Sequence, residues 1–184
     1  MQGVFITGTD TGVGKTQIGV LLAKALTRKN IRVIPRKPIE SGCKIIGSAL
    51  VPADALALKQ AARYDGELRE VCRYRFAAPV SPLRAANISN MQLTTEQLVK
   101  ACRHEDEEGF TLVEGAGCLY SHISEDGLNA DLAMALKLPV LIVAEDKLGV
   151  LNHVLLNFEA LDMYGLDLVG IVLNNPNNTR DRHM

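Results

Sequence analysis

Apolar residues fall along this chain in short unbroken runs, separated by stretches in which they recur every three or four positions. The runs at residues 3–7, 31–36, 110–113, 139–144 and 168–173 predict strands, because a strand buried on both faces has no polar side to show. Residues 71–76 are a further strand candidate. Ile18, Leu21, Leu22, Ala25 and Leu26 keep helical spacing and predict a helix over residues 16–29. Lys24, Arg28 and Lys29 lie toward its C-terminal, negative dipole end, and Asn30 suits the stop. Further helices are predicted over 55–64, opened by Asp54, and over 128–137 and 150–164. Another reaches to about residue 108 from the capping box Thr94-Thr95-Glu96-Gln97. Residues 37–53 read as a loop and Pro79-Val80-Ser81-Pro82 as a fixed turn. Pro35, which has no N–H to donate, places its strand at a sheet edge or marks its end.

Strands alternating with helices predict an α/β fold: a parallel β-sheet with helices on both faces. At 184 residues the chain suits one such domain over residues 1–184. Ligands of these sheets bind beyond the carboxyl ends of the strands. That directs attention to the turn after residue 7, to Lys37, to Glu114, to Glu145-Asp146-Lys147 and to Asn174-Asn175.

Composition narrows the picture. Apolar residues make up 47% and charged residues 22%, ordinary for a globular protein. A net charge of −1 supplies no basic field for nucleic acid or an anionic membrane surface. No apolar run approaches membrane-spanning length, and the first residues enter a strand directly instead of forming a secretion signal. Cys43, Cys72, Cys102 and Cys118 form no C-x-x-C pair, which fits reduced thiols in a cytoplasm better than a disulfide frame or a zinc site. The four histidines are scattered, and no Ser-His-Asp or Cys-His set is evident.

The chemistry concentrates in Gly8-Thr9-Asp10-Thr11-Gly12-Val13-Gly14-Lys15-Thr16. A strand, a Gly-rich turn and a helix start form the context of a phosphate-binding P-loop. Backbone N–H groups of residues 12–16 would face the phosphates, Lys15 would reach the terminal ones, and the Thr16 hydroxyl would hold Mg²⁺. The general signature puts Gly where Thr9 stands, and Gly8 lies one residue further back, so this loop is longer by one. Glu114, followed by Gly115-Ala116-Gly117, occupies the usual second Mg²⁺ position of a P-loop enzyme. Asp54 by spacing alone is first an N-cap, Lys37 a strand-end lysine, and Asn174-Asn175 turn residues.

Taken in order, the P-loop, Lys37-Pro38-Ile39-Glu40-Ser41-Gly42, Asp54-Ala55-Leu56, Pro79-Val80-Ser81-Pro82, Val113-Glu114-Gly115-Ala116-Gly117 and Lys147-Leu148-Gly149 with Asn152-His153 resemble the dethiobiotin synthetases. The resemblance covers the chain to about residue 175 and implies a P-loop NTPase fold. It implies ATP-dependent closure of the ureido ring of dethiobiotin from 7,8-diaminononanoate and CO₂ or bicarbonate, in a cytoplasmic homodimer. Thr16, Asp54 and Glu114 would hold Mg²⁺. ATP would contact Gly12, Val13, Gly14, Lys15, Thr16, Gln17, Asp54, Glu114, Gly115, Ala116 and Gly117, with Asn174 and Asn175 at adenine. Lys37, Lys15 and Thr11 would serve the reaction. Thr11, Ser41 and Ser81 would touch the diamine, and Leu148, Gly149, Val150 and Asn152 its carboxylate across the dimer interface.

The chain departs from the family at Cys118 and Leu83, where Gly and His are usual. Family members also continue for a few tens of residues past the Asn174 strand, adding a further strand and a segment that covers adenine, so either this chain is shortened or its ATP pocket is open on one side. Partition- or septum-type P-loop ATPases carry a second lysine where this chain has Asp10. Cobyric-acid-type amidoligases share the fold and the ATP chemistry. A homologue that binds nucleotide without turnover is the third alternative.

Overall fold

The computed structural model describes residues 1–104 and 108–175. Its elements in chain order are β1 (Gly3–Gly8), α1 (Lys15–Arg28), β2 (Val33–Arg36), β3 (Ile39–Glu40), β4 (Lys44–Ile46), β5 (Ala49–Val51), α2 (Ala53–Ala61), α3 (Leu68–Val71), β6 (Tyr74–Arg75), α4 (Pro82–Ile88), α5 (Thr95–Cys102), β7 (Phe110–Cys118), β8 (His122–Ser124), β9 (Gly127–Leu128), α6 (Asn129–Leu136), β10 (Val140–Glu145), α7 (Val150–Met163) and β11 (Leu168–Asn174). Five strands form the central parallel sheet in the order β11-β10-β1-β7-β2.

Alternation within each strand divides the apolar side chains between two cores. Phe5, Val113, Val140 and Ile142 point to one face, where α4, α5, α6 and α7 supply Ala85, Leu98, Leu132 and Leu161. Val4, Ile6, Leu112 and Val143 point to the other, where α1 and α2 contribute Ala23 and Leu58. The buried stripe of α1 centres on Gly19 and Ala23, while Leu21 is exposed. A Cβ on Gly19 would stand 2.9 Å from Leu58 Cδ2, so glycine lets α1 and α2 approach.

β1 is central, and the chain first builds to one side of it (β2, β7) and then to the other (β10, β11). The loop after β1 therefore sits at the switch point, where neighbouring connections diverge and leave a crevice.

Several elements differ from the sequence reading. β2 begins at Val33, and it is an edge strand, as Pro35 requires, pairing only with β7 in the central sheet. The predicted loop over 37–53 contains β3 and the β4–β5 hairpin. The strand candidate at 71–76 reduces to β6, two residues paired with β3. The turn at 79–82 runs straight into α4, with Pro82 as its first residue, where a preset φ and a missing N–H do no harm. The Thr94–Gln97 capping box forms as expected, but α5 ends at Cys102, and the remainder of that predicted helix partly lies outside the described residues. β7 continues through Gly115 and Ala116 to Cys118, so Glu114 is mid-strand. β11 is not buried on both faces; its residues alternate between half-buried and exposed, as an edge strand with one open face would.

Candidate functional site

Gly12 and Gly14 have positive φ (73° and 94°), which turns the loop after β1 back toward the start of α1. Gly14 is the N-cap, and no side chain caps the helix. The first-turn N–H groups, which have no intrahelical acceptor, thus open onto a cavity of about 660 Å³. Gly12, Gly14, Lys15 and Thr16 line it. Lys15 is buried, and its Nζ donates to the Asp10 carbonyl at 2.9 Å across the loop. Burial, and then the charge of Lys37, hold its pKa below the ordinary lysine value.

The opposite wall comes from the end of β2 and the middle of β7. Lys37, one residue past β2, is buried, and its Nζ donates to Glu114 Oε1 at 2.6 Å and to the Gly115 carbonyl at 3.1 Å. Asp54 Oδ2 stands 3.3 Å from the same ammonium. Burial alone would push the Lys37 pKa down, but Glu114 and Asp54 outweigh it and the pKa is raised. Thr16 Oγ1 donates to the same Glu114 Oε1 at 2.8 Å. One carboxylate oxygen thus joins the P-loop to Lys37. The other, Glu114 Oε2, is buried and has no hydrogen-bond partner.

Asp54 is not the N-cap that its spacing predicts. α2 begins at Ala53 after Pro52, and Asp54 lies in its first turn. Capping falls to Glu40, whose two oxygens accept from the N–H groups of Asp54 at 3.1 Å and Ala55 at 3.0 Å. With its own N–H satisfied by Glu40, Asp54 is free to turn its carboxylate to Lys37. Local sequence carried no sign of this cap, because Glu40 and α2 are separated by the β4–β5 hairpin. Asn129 was likewise missed. Its side chain accepts from the Ala116 N–H at 3.2 Å and donates to the Ala116 and Cys118 carbonyls, both at 2.8 Å, which fixes the glycine-rich end of β7. A Cβ on Gly115 would lie 2.6 Å from Asn129 Oδ1, so that strand end tolerates no side chain there.

The structure gathers Thr11, Gly12, Gly14, Lys15, Thr16, Lys37, Ser41, Asp54, Ser81, Glu114, Ala116 and Gly117 around one cavity. Ser41 Oγ donates to the Val80 carbonyl at 2.7 Å, tying two walls together. Val13 is in the core, and Gly115 meets the site through its carbonyl to Lys37. Asn174, the residue expected at adenine, donates to the Val13 carbonyl at 2.8 Å and to Gln17 Oε1 at 3.4 Å, which ties the end of β11 to the P-loop. Asn175 is exposed. Leu148, Gly149, Val150 and Asn152 do not line this cavity. They form the start of α7, where Gly149 is the N-cap at φ 91° and no side chain caps the helix.

The donor set fits Mg²⁺. Glu114 has a buried carboxylate oxygen, Oε2, without a partner, its Oε1 accepts from the Thr16 hydroxyl, and the Asp54 carboxylate faces the same Lys37 ammonium, so the three residues supply hard oxygen donors. Among the described residues no group of three or more His, Cys, Asp or Glu forms a self-sufficient metal cage.

An anion seated on the first turn of α1 would face two buried ammonium groups and a carboxylate with an oxygen to spare. This is the arrangement of a P-loop nucleotide-binding domain. Known proteins agree. A family model described as an AAA domain matches residues 2–184. The kinase domain of Escherichia coli tyrosine kinase ETK superposes with a TM-score of 0.50 at 16% identity, over 95% of this chain and 67% of that one, a likeness of fold alone. The ATP-dependent dethiobiotin synthetase BioD of Vesicomyosocius okutanii is 41% identical over 174 residues, 95% of this chain and 79% of the relative. The enzyme of the same name from Anaeromyxobacter dehalogenans is 41% identical over 95% of this chain and 77% of its own length. That from Pseudoalteromonas translucida is 34% identical over 100% and 82%. The chain belongs to the ATP-dependent dethiobiotin synthetase family.

Proposed function

We propose that this protein is an ATP-dependent dethiobiotin synthetase acting in biotin biosynthesis. The observation that carries the mechanism is the shared carboxylate. Lys37 Nζ and Thr16 Oγ1 meet on Glu114 Oε1 at 2.6 and 2.8 Å, so the P-loop and the neighbouring strand tip address one point. In the reaction 7,8-diaminononanoate carries CO₂ as a carbamate on one amine. The carbamate oxygen attacks the γ-phosphorus of ATP and ADP leaves. The second amine then attacks the carbamic-phosphoric anhydride, closes the ring and expels phosphate. The first encounter brings two anions together, so the protein's task is to position them and neutralise their repulsion.

Lys15 and the first-turn N–H groups of α1 hold the phosphates. Lys37, kept protonated by Glu114 and Asp54, stands between the γ-phosphate and the carbamate. Thr16, Asp54 and Glu114 would hold Mg²⁺, which supplies further positive charge at the phosphates. Thr11, Ser41 and Ser81 on the cavity wall contact the diamine. Adenine lies toward Asn174 and Asn175.

The chain works as a homodimer. α7 exposes Leu151, Leu155, Leu156, Phe158 and Met163, an apolar face of the kind that association covers. In the dimer the uncapped α7 start, with Leu148, Gly149, Val150 and Asn152, receives the substrate carboxylate of the partner's site. Cys43, Cys72, Cys102 and Cys118 are free thiols, which suits the cytoplasm. No helix among the described residues is long and apolar enough to cross a membrane.

The test is phosphate release from Mg·ATP with bicarbonate, with and without the diamine, together with detection of dethiobiotin. Release that requires the diamine and yields the ring supports the reading. Release indifferent to the diamine overturns it in favour of a switch-type ATPase.

A further inference from the structure

A second cavity, of about 890 Å³, opens at the β2 edge of the sheet, walled by α3, β6 and α5. Its floor is Arg36, which is 3% exposed. Arg36 and Lys37 are chain neighbours, yet the strand sends them to different cavities, Lys37 to the P-loop side and Arg36 to this one. A buried guanidinium normally faces a carboxylate, because an unpaired charge away from water is costly. Arg36 Nη1 donates to the Pro35 carbonyl at 2.9 Å, and its guanidinium carbon lies 5.6 Å over the Tyr64 ring. Its Nε has no hydrogen-bond partner. Among the described residues no carboxylate stands within ion-pair distance of it.

The rim repeats the sign. Arg69, Arg73, Lys100 and Arg103 surround the opening. Arg69 is paired with Glu67 and Lys100 with Glu96, both on the exposed surface. Arg73 and Arg103 have no ion-pair partner among the described residues. Glu70 is the acidic group among the described lining residues, and its Oε2 is engaged by the Tyr64 hydroxyl at 2.7 Å.

From these observations we infer a second ligand site: the Arg36 cavity binds a compact polyanion, a small molecule carrying phosphoryl or carboxylate groups. Arg36 takes the innermost anionic group, where a planar fork of N–H donors suits phosphate or carboxylate alike. Arg73 and Arg103 neutralise the outer charges, and Tyr64 and Tyr74 offer aromatic walls to any uncharged part. The site is separate from the nucleotide cradle, and its occupancy acts one residue from Lys37. The Lys37 N–H donates to the Val71 carbonyl at 2.7 Å, on the same α3 segment that carries Arg69.

The experiment is calorimetric titration of the full chain with inorganic pyrophosphate and, separately, with citrate. It is run in a Lys15→Glu background, where the P-loop repels both anions. Saturable binding persists there, and both Arg36→Gln and the rim pair Arg73→Glu/Arg103→Glu weaken it by about tenfold or more, as expected for lost charge-assisted hydrogen bonds. Equal affinity for both probes identifies a ligand class that includes carboxylates; preference for pyrophosphate identifies phosphoryl groups. If Arg36→Gln does not fold, the rim pair decides, since both arginines are exposed and the parent's melting temperature checks that variant. Absence of binding in the Lys15→Glu protein, or binding indifferent to the rim pair, overturns the site.

Discussion

Lys37 and Lys15 carry the same charge in one cavity and are held in opposite ways. Lys37 is neutralised at close range by Glu114 and Asp54, while Lys15 has a carbonyl for a partner and a second ammonium nearby. Lys15 is thus the group with charge to offer an arriving phosphate. Lys37 is the group whose position is fixed in advance. Lys37→Ala is expected to reduce kcat by about 10²–10³-fold, the usual loss for one preorganised donor. ATP affinity in that variant stays within a few-fold of the parent, because Lys15 and the α1 amides remain. Isothermal binding beside steady-state kinetics separates the two, and loss of ATP affinity equal to that of Lys15→Ala sinks the division of labour. The pKa directions give a pH signature. Raising the pH removes the proton from Lys15 first, because its pKa is lowered, while Lys37, whose pKa is raised, stays charged. Nucleotide Kd should therefore rise on the alkaline side before kcat at saturating ATP falls; the reverse order contradicts the assignment. Lys15 was legible in the sequence because its motif is local. Lys37 was only a strand-end lysine until the resemblance singled it out, since its partner Glu114 is remote in the chain.

The helices and strands around these residues show where local signals sufficed. The capping box before α5 and the edge position of β2 were both readable, because Thr94–Gln97 and Pro35 act through their own backbone. α4 was not readable: prolines on both sides of Val80-Ser81 look like a turn, and that Pro82 starts a helix depends on Ala85 and Ala86 finding the core. Nor was the true start of α2, because two of its first-turn N–H groups are satisfied by Glu40 from across a hairpin. Glu40→Ala leaves those donors without acceptors and frees the turn that holds Asp54. A loss of about 1–2 kcal/mol in stability is expected, the usual cost of a removed cap. Urea denaturation reads this directly, and a Mg²⁺ titration of activity should shift to higher concentration with it. A variant that is destabilised but titrates Mg²⁺ like the parent would show that Glu40 holds the helix and not the metal site.

The molecule as a whole leaves apolar area uncovered on α7 and on β11, where Val169, Ile171 and Leu173 are exposed. The proposed dimer through α7 would cover the first of these surfaces and would bring the Gly149 helix start to a partner's diamine. Leu155→Glu/Phe158→Glu should convert the dimer to monomer in sedimentation velocity. The KM for the diamine should rise at least about tenfold, the scale of losing one charge-assisted contact, while ATP binding is kept. An unchanged sedimentation coefficient rules out α7 as the interface.

Periodicity and motif spacing were enough for a parallel α/β domain, a P-loop after the first strand and the acid at Glu114, because each rests on neighbours within a few positions. Tertiary structure alone decided that Glu114 serves Thr16 and Lys37 with one oxygen, that Glu40 and not Asp54 caps α2, and that Arg36 is buried over a second cavity. Those are contacts between strand tips and loops far apart in the chain, and only closing the sheet brings them within hydrogen-bonding distance.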